Sequence, residues 1–232
     1  MSTPLTDGIN ALTAYANETT GAEDTTLSDA VGRLCEGYGG GNIANELAKG
    51  NDLLYGDDIV FDSSVETIGD YAFYAKHIAS ASGNGVKLIG NHALSNPYTS
   101  YSRVVFHPDF PNLETTKAYA FGYRDFGNQA IVCNAIVTGS ALCEGGKNLP
   151  SIKYTRADNI MDDQVYNIAS LTQIIINSTP SLIDKNAFRK ASSLADIYVP
   201  WSEGEVANAP WGATNATIHY NTTFAANGDP II

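Results

Sequence analysis

An internal repeat in the C-terminal part of the chain is the feature that most constrains its fold. The segment 160–176 (IMDDQVYNIASLTQIII) aligns without a gap with 183–199 (IDKNAFRKASSLADIYV). The offset is 23 residues throughout, and the shared skeleton is I-x4-[VF]-x5-L-x2-I-x-[IV]. A fixed period of this length indicates a repeat architecture, in which each unit buries its apolar residues by stacking on its neighbours.

The first half of the same skeleton recurs four times upstream. The copies lie at 68–73, 89–94, 116–121 and 137–142, each with an Ala before a bulky apolar residue. Over all units the bulky position falls at Phe73, Leu94, Phe121, Leu142, Val165 and Phe188. The intervals are 21, 27, 21, 23 and 23 residues, within the range of about 20–29 residues that leucine-rich repeats have.

A strand-like triplet follows about ten residues after most of the bulky positions, and strands favour the β-branched and aromatic residues found there. The triplets are Val104-Val105-Phe106, Ile131-Val132-Cys133, Ile152-Lys153-Tyr154, Ile174-Ile175-Ile176 and Ile197-Tyr198-Val199, with Ile59-Val60-Phe61 before the first unit. Alternation places the outer residues of each triplet inside the solenoid and the middle residue outside. The stretch after Phe73 has no such triplet, so we expect its strand to be weak or missing.

These patterns predict an α/β leucine-rich-repeat solenoid with a short parallel strand per repeat and a mostly irregular opposite side. We expect three regions: a helical leader or N-terminal cap (1–50), a six-unit solenoid (51–200) and a C-terminal cap (201–232). A solenoid must close its open core at both ends, so caps are required.

Both end regions have two interpretations. Helical spacing of apolar residues and the Gly39–Gly41 run favour residues 1–41 as a separate assembly handle, with a folded cap as the alternative. At the other end, Trp201 and Trp211 either seal the last unit of the core or form a platform on which a carbohydrate stacks.

The segments IGDYAF (68–73) and IDKNAFRKASSLADIYVP (183–200) resemble the BspA-like subfamily of leucine-rich repeats. The resemblance covers roughly residues 55–200 and is loose at 116–121 and 160–165. It implies a role in cell-surface adhesion and protein–protein contact.

The N-terminal segment 5–41 resembles the helical leaders of phage tail and tail-fibre proteins in gut Firmicutes. The C-terminal stretch IYVPWSEGEVANAPWGATNATIHYN is similar to the ends of such proteins. This second resemblance implies a place in a phage or prophage tail, with the helices mounting the solenoid on a larger assembly or joining copies into a homo-oligomer.

The charge balance excludes several classes of partner. The chain has 25 acidic and 13 basic residues, a net charge of −12, whereas nucleic acids and anionic membranes bind basic surfaces. No apolar run approaches the length of a membrane-spanning helix, and the N-terminus as given is not a secretory signal. We expect an extracellular, cell-surface or virion-associated protein.

The residues that could carry chemistry do not form recognisable sites. The three cysteines, Cys35, Cys133 and Cys143, have no disulfide spacing and are expected to be free and buried. The histidines lack zinc-ligand spacing, and the pairs Asp57-Asp58 and Asp162-Asp163 lack the full spacing of a calcium loop. We therefore expect no cofactor, no metal and no enzymatic activity; a glycan hydrolase using paired carboxylates is the weakest alternative.

The middle residues of the triplets are the better candidates for a binding site. They are Val60, Val105, Val132, Lys153, Ile175 and Tyr198, flanked by the polar residues Arg103, Gln173, Asn177 and Asp196. A contiguous exposed apolar strip marks an interaction surface, which predicts contact with a protein or glycan partner. Alternatively a loop, a cap or a second subunit covers the strip, and the protein is a structural component without an external ligand.

Overall fold

The structure is a computed structural model that describes residues 58–97 and 104–231. Every regular element within these ranges is a β-strand, so the α component of the predicted fold is not found there. The helices expected in residues 1–50 lie outside the described residues, as does Cys35. In the described ranges there is also no helix that could span a membrane.

The described part of the chain contains fourteen short strands. In chain order they are β1 (Asp58–Val60), β2 (Thr67–Ile68), β3 (Ser80–Ser82), β4 (Leu88–Ile89), β5 (His107–Asp109), β6 (Thr115–Thr116), β7 (Ile131–Cys133), β8 (Val137–Thr138), β9 (Ser151–Tyr154), β10 (Asn159–Ile160), β11 (Gln173–Ile176), β12 (Leu182–Ile183), β13 (Asp196–Tyr198) and β14 (Thr217–His219).

These strands pair in parallel from one repeat to the next. The strands β2, β4, β6, β8, β10 and β12 form one six-stranded sheet, while β1, β3 and β5 form a three-stranded sheet and β7, β9, β11, β13 and β14 a five-stranded one. A coil therefore consists of a longer strand, a two-residue strand and the corner turn that follows it. The predicted solenoid is confirmed, but the part of each repeat expected to be irregular carries a sheet of its own.

The core lies between these sheets and is built from columns of matching side chains. Ile152 and Ile174 face each other across β9 and β11, and both are fully buried. In the two-residue strands the second residue points inward and the first is at least partly exposed. Burying an Ile or Leu side chain contributes about 1.5–3 kcal/mol, so stacking many of them stabilises coils that could not fold singly.

The register of the fourth coil differs by one residue from the register expected from sequence. Thr138 pairs with Thr116 and Ile160, and the amide of Phe121 donates to the carbonyl of Leu142. Following this register, Cys143 occupies the bulky position and Leu142 the position of the small Ala. The assignment of Leu142 to the bulky position was therefore wrong, although both residues are fully buried.

Two strands also lie where the sequence did not predict them. The stretch after Phe73 does form a strand, β3, because its backbone pairs with β1 on one side and β5 on the other. The triplet 104–106 is not the strand of its coil; His107–Asp109 is. The buried rings of Phe106 and Phe110 anchor the chain on either side of β5.

The two tryptophans close the C-terminal end of the core. Trp201 and Trp211 are 3% and 0% exposed, and their rings pack edge to face with centroids 6.2 Å apart. Trp211 also packs against Phe188 of the sixth coil and donates from Nε1 to the carbonyl of Ala207. Because neither ring face is open to solvent, the sealing interpretation is supported over the carbohydrate platform.

Candidate functional site

Four residues of the predicted strip form one column on the outward side of the five-stranded sheet. Val132 pairs with Lys153, Lys153 with Ile175, and Ile175 with Tyr198. Val132 is 48% exposed, in agreement with an outward orientation. The expected alignment of these middle residues is therefore correct for the fourth coil onward.

The N-terminal part of the predicted strip does not join this column. Val105 forms an isolated bridge with Asp125, and not a strand pair with Val132. Val60 is 78% exposed but belongs to the separate three-stranded sheet. Arg103 lies outside the described residues. The strip is thus not continuous along the solenoid, because the 27-residue unit places Val105 at a different corner of its coil.

A C-terminal hairpin covers the middle of the column. Its residues 223–231 are held together by the Phe224–Pro230 bridge and by the hydrogen bond from the Ile231 amide to the Thr223 carbonyl. Lys153 Nζ donates to the Asn227 carbonyl and to Asp229 Oδ1, at 2.9 and 2.5 Å.

Ile175 and Tyr198 are buried, at 3% and 8% exposure, and the Tyr198 ring stacks on His219 with centroids 4.4 Å apart. Asn177 donates from Nδ2 to the Gly228 carbonyl, which places the hairpin beside Ile175. Of the flanking polar residues, Gln173 pairs with Asp196, and Asp196 Oδ1 lies 2.7 Å from Nε2 of His219. The expectation that Ile175 and Tyr198 are exposed is wrong. The alternative of a covering segment applies to Ile175, whereas the ring of Tyr198 is stacked on His219 of β14.

An exposed aromatic cluster lies elsewhere on the solenoid, at the corner after the two-residue strands. Tyr71, His92 and Tyr119 occupy equivalent positions in the first three coils, and we call them the aromatic column. The Tyr71 and His92 rings stack with centroids 5.0 Å apart at 14°, and the His92 and Tyr119 rings with centroids 4.5 Å apart at 5°. Tyr74 packs edge-on against the first two rings, with centroids 5.5 and 5.7 Å away.

The backbone at this corner explains the stacking. All three residues of the aromatic column have left-handed φ values, between 52° and 60°, a conformation uncommon for residues other than glycine. The amide of Tyr71 donates to the Asn91 carbonyl and that of His92 to the Ala118 carbonyl, at 2.8 and 3.0 Å. These bonds fix the coil-to-coil spacing, so each ring is positioned above the next.

The aromatic column and Tyr74 are partly open to solvent, and their rings carry no charge. Tyr71 is 50% and Tyr74 is 36% exposed. Partial burial lowers the pKa of His92 below its ordinary value of 6.5, so the imidazole is neutral at pH 7. Burial, followed by the negative charge of Glu144, raises the pKa of Tyr119. The surface therefore presents neutral aromatic groups beside acidic residues.

Reasoning from the sequence missed this cluster, although a signal was present. An aromatic residue precedes the Ala in DYAF, NHAL and KAYAF, but the repeat pattern was defined by the Ala and the bulky residue after it. The described ranges contain no cluster of three His, Cys, Asp or Glu side chains suited to a metal ion. Cys133 and Cys143 are free and buried, as predicted.

Comparison with known proteins agrees with this architecture. No curated protein sequence gives a significant match. A solved structure, titled as the crystal structure of the pneumococcal vaccine antigen PcpA, superimposes with a TM-score of 0.50 at 17% sequence identity. The match covers 72% of this chain and 42% of that chain, so the present chain spans less than half of that protein, and the likeness concerns the fold alone.

The model of the BspA type leucine rich repeat region matches in six copies, over residues 56–154 and 114–209. These two overlapping segments cover well over half of the chain and include all six complete coils of the structure. The chain belongs to the BspA-type leucine-rich-repeat family.

Proposed function

We propose that this protein is a non-catalytic binding module that attaches to a protein or glycan partner on a cell surface. The observation that carries the proposal is the aromatic column with Tyr74, a contiguous group of rings at one corner of the solenoid in which Tyr71 and Tyr74 are exposed and His92 and Tyr119 are half-buried. Tyrosine is enriched at the centres of protein interfaces, because it buries a large rigid area at a low cost in conformational entropy.

The architecture supports this role. A solenoid repeats one surface position at every coil, so neighbouring residues on that surface come from distant parts of the sequence. Backbone hydrogen bonds between successive coils fix the positions of Tyr71, His92 and Tyr119, and the stacking of the three rings orders them before any partner arrives. A pre-ordered contact surface binds with a smaller entropic cost than a flexible one.

The strand-face residues predicted from sequence contribute less in this proposal. Val132 is the apolar member of that column that remains open to solvent, while Ile175 and Tyr198 are buried. An extracellular or cell-surface location accords with the family and with the description of the similar protein as a vaccine antigen.

The aromatic surface is tested with the double variant Tyr71→Ser/Tyr74→Ser. Fluorescent wild-type protein is applied to a glycan array and to intact cells, and the binding it shows is then measured for the variant. Removing central aromatic contacts costs about 2 kcal/mol or more each, so affinity should fall more than about ten-fold.

The matched control is Leu182→Ser, which removes a 41% exposed apolar side chain from the sixth coil. Circular dichroism should be unchanged in both variants, and the control should bind as the wild type does. Equal binding by wild type, double variant and control would refute the assignment of the surface.

The N-terminal segment concerns assembly and is tested separately. The resemblance of residues 5–41 to phage-tail leaders supports the proposal that they mount the solenoid on a larger assembly. Light scattering should then give a trimer or larger for the full chain and a monomer for a chain that starts at Asn42. Monomers in both cases would contradict the handle.

A further inference from the structure

The sequence contains two Asn-Gly pairs, Asn84-Gly85 and Asn227-Gly228. The side chain of an asparagine in such a pair is open to attack by the main-chain nitrogen of the next residue, because glycine has no Cβ atom to hinder the approach. Both asparagines are exposed, but their main chains have different surroundings. The first pair lies within the stack of coils, and the second lies at the end of the C-terminal hairpin.

Neighbouring coils hold the Asn84-Gly85 pair on both sides. A Cβ atom on Gly85 would lie 2.1 Å from the carbonyl oxygen of Ser63 in the first coil. The Asn84 carbonyl accepts a hydrogen bond of 2.8 Å from Nδ2 of Asn112 in the third coil. Cyclisation requires the main chain to turn toward the asparagine side chain, and this packing opposes such a rotation. We therefore expect Asn84 to be protected.

The peptide group that joins Asn227 to Gly228 is polarised by an ammonium group. Lys153 Nζ donates to the Asn227 main-chain carbonyl at 2.9 Å. When the Gly228 amide loses its proton, negative charge appears on this carbonyl oxygen, because the peptide group is conjugated. The charge-assisted hydrogen bond stabilises that anion, which is the attacking nucleophile. The carbonyl of Asn84, in contrast, accepts from a neutral amide.

The side chain of Asn227 is held at both of its polar atoms. Its Oδ1 accepts from the Asp229 amide at 3.1 Å, a donor that stabilises the negative charge formed on Oδ1 when Cγ is attacked. Its Nδ2 donates to Asp229 Oδ2 at 2.7 Å. The other oxygen of this carboxylate accepts from Lys153 Nζ at 2.5 Å. Asp229 thus connects the leaving nitrogen with an ammonium group that can supply a proton.

One hydrogen bond must open before the ring can close. The Gly228 amide donates to the Ala225 carbonyl at 2.8 Å. Ala226 and Asn227, which lie between these two residues, are both exposed. The opening is therefore local to the end of the hairpin.

We propose that Asn227 is a self-modification site, at which the folded hairpin converts the asparagine to aspartate or isoaspartate. The Gly228 nitrogen bonds to Asn227 Cγ, the Cγ–Nδ2 bond breaks, and Nδ2 leaves as ammonia with the proton that Gly228 gives up. Water then opens the cyclic imide at either of its carbonyls. The change adds a carboxylate, and in isoaspartate also a main-chain methylene, where the hairpin rests on Lys153 and Asn177. This inference is independent of the aromatic surface.

The test follows both Asn-Gly pairs in one sample. The native full chain is incubated at mildly alkaline pH, beside the same chain unfolded in guanidinium chloride, and peptide mapping by mass spectrometry quantifies the product at each position. In the native chain, position 227 should react at least ten-fold faster than position 84. It should also react at least two-fold faster than in the unfolded chain, because the hairpin contacts accelerate the reaction.

The variant Lys153→Met tests the role of the ammonium group. It removes the charge that polarises the Asn227 carbonyl, and the rate at position 227 should fall to that of the unfolded chain. This holds even where the variant loosens the hairpin, because a loose hairpin resembles the unfolded segment. The matched control Lys185→Met removes an exposed positive charge from the sixth coil and should leave the rate unchanged.

The opposite signs would overturn the proposal. If folding slows the reaction at Asn227, or if Lys153→Met accelerates it, the hairpin contacts protect the asparagine and do not activate it. Equal rates at Asn84 and Asn227 in the native chain would likewise show that the hairpin is not a special site.

Discussion

Replacing Gly139 by alanine tests the close stacking of the coils. A Cβ atom at this position would lie 2.4 Å from the carbonyl carbon of Lys117 and 2.8 Å from the amide nitrogen of Ala118. Both are backbone atoms of the preceding coil, so no side-chain rotation can relieve the contact. The two coils must separate by about 1 Å, and overpacking of this kind costs about 1–3 kcal/mol.

The chain offers a matched control at Gly122. A Cβ atom there would meet its nearest neighbours at 3.5 and 3.6 Å, which is ordinary van der Waals contact. Gly122→Ala should therefore stabilise the fold by about 0.4–1 kcal/mol, because alanine restricts the unfolded chain. The free energies of unfolding of the two variants should therefore differ by about 1.4–4 kcal/mol.

Urea denaturation followed by far-UV circular dichroism measures this difference. The midpoints and slopes of wild type, Gly139→Ala and Gly122→Ala are compared, because a change of midpoint at constant slope reports stability. A Gly139→Ala variant as stable as Gly122→Ala would show that the coils do not approach each other as closely as described, and would refute the reasoning.

Three further predictions concern the core, the hairpin and a buried arginine. Burial raises the pKa of Cys133 to about 11, so maleimide labelling followed by peptide mapping should modify Cys133 and Cys143 only after denaturation; labelling in the native state would contradict this. The Lys153 hydrogen bond holds the pKa of Asp229 below its ordinary value of 3.8, so this contribution to hairpin attachment is present above that value and is lost as the pH falls through the lowered pKa. Hydrogen exchange of the Gly228 amide should therefore accelerate below about pH 4 relative to other amides, and Asp229→Asn should remove the pH dependence. Arg124 is fully buried and donates to the carbonyls of Leu94 and Lys76 at 2.5 and 2.7 Å. Arg124→Met leaves both carbonyls unpaired and should lower the free energy of unfolding by about 1–3 kcal/mol for each. An unchanged urea midpoint would argue against this role.

The solenoid was predictable because stacking requires the same kind of residue at each coil. Ile160 and Ile183 align in sequence and also pair in the structure, so a fixed period translates directly into register. The sequence period did not predict the register of the fourth coil, because Thr116 and Thr138 occupy inward positions at which the other coils have Ile. The Thr138 hydroxyl donates to the Asn159 carbonyl at 3.3 Å, and reasoning from hydrophobic pattern alone places Val137, not Thr138, inside.

Strand positions were harder to predict where pairing outweighs residue preference. Ser80–Ser82 has low β propensity, yet it is a strand because neighbouring coils supply hydrogen-bond partners on both sides. The opposite applies to Val105, which has high propensity but lies at a corner. Strand propensity largely reflects the surroundings of a residue, and those surroundings are set by the coil next to it.

The candidate site could not be read from sequence for a related reason. Tyr71 and His92 are 21 residues apart, and His92 and Tyr119 are 27 apart, so no local pattern brings them together. Left-handed backbone is usually expected at glycine, which hid the role of these corner residues. Once the coils are stacked, the three positions fall into one column, and rings that are far apart in the sequence come into contact.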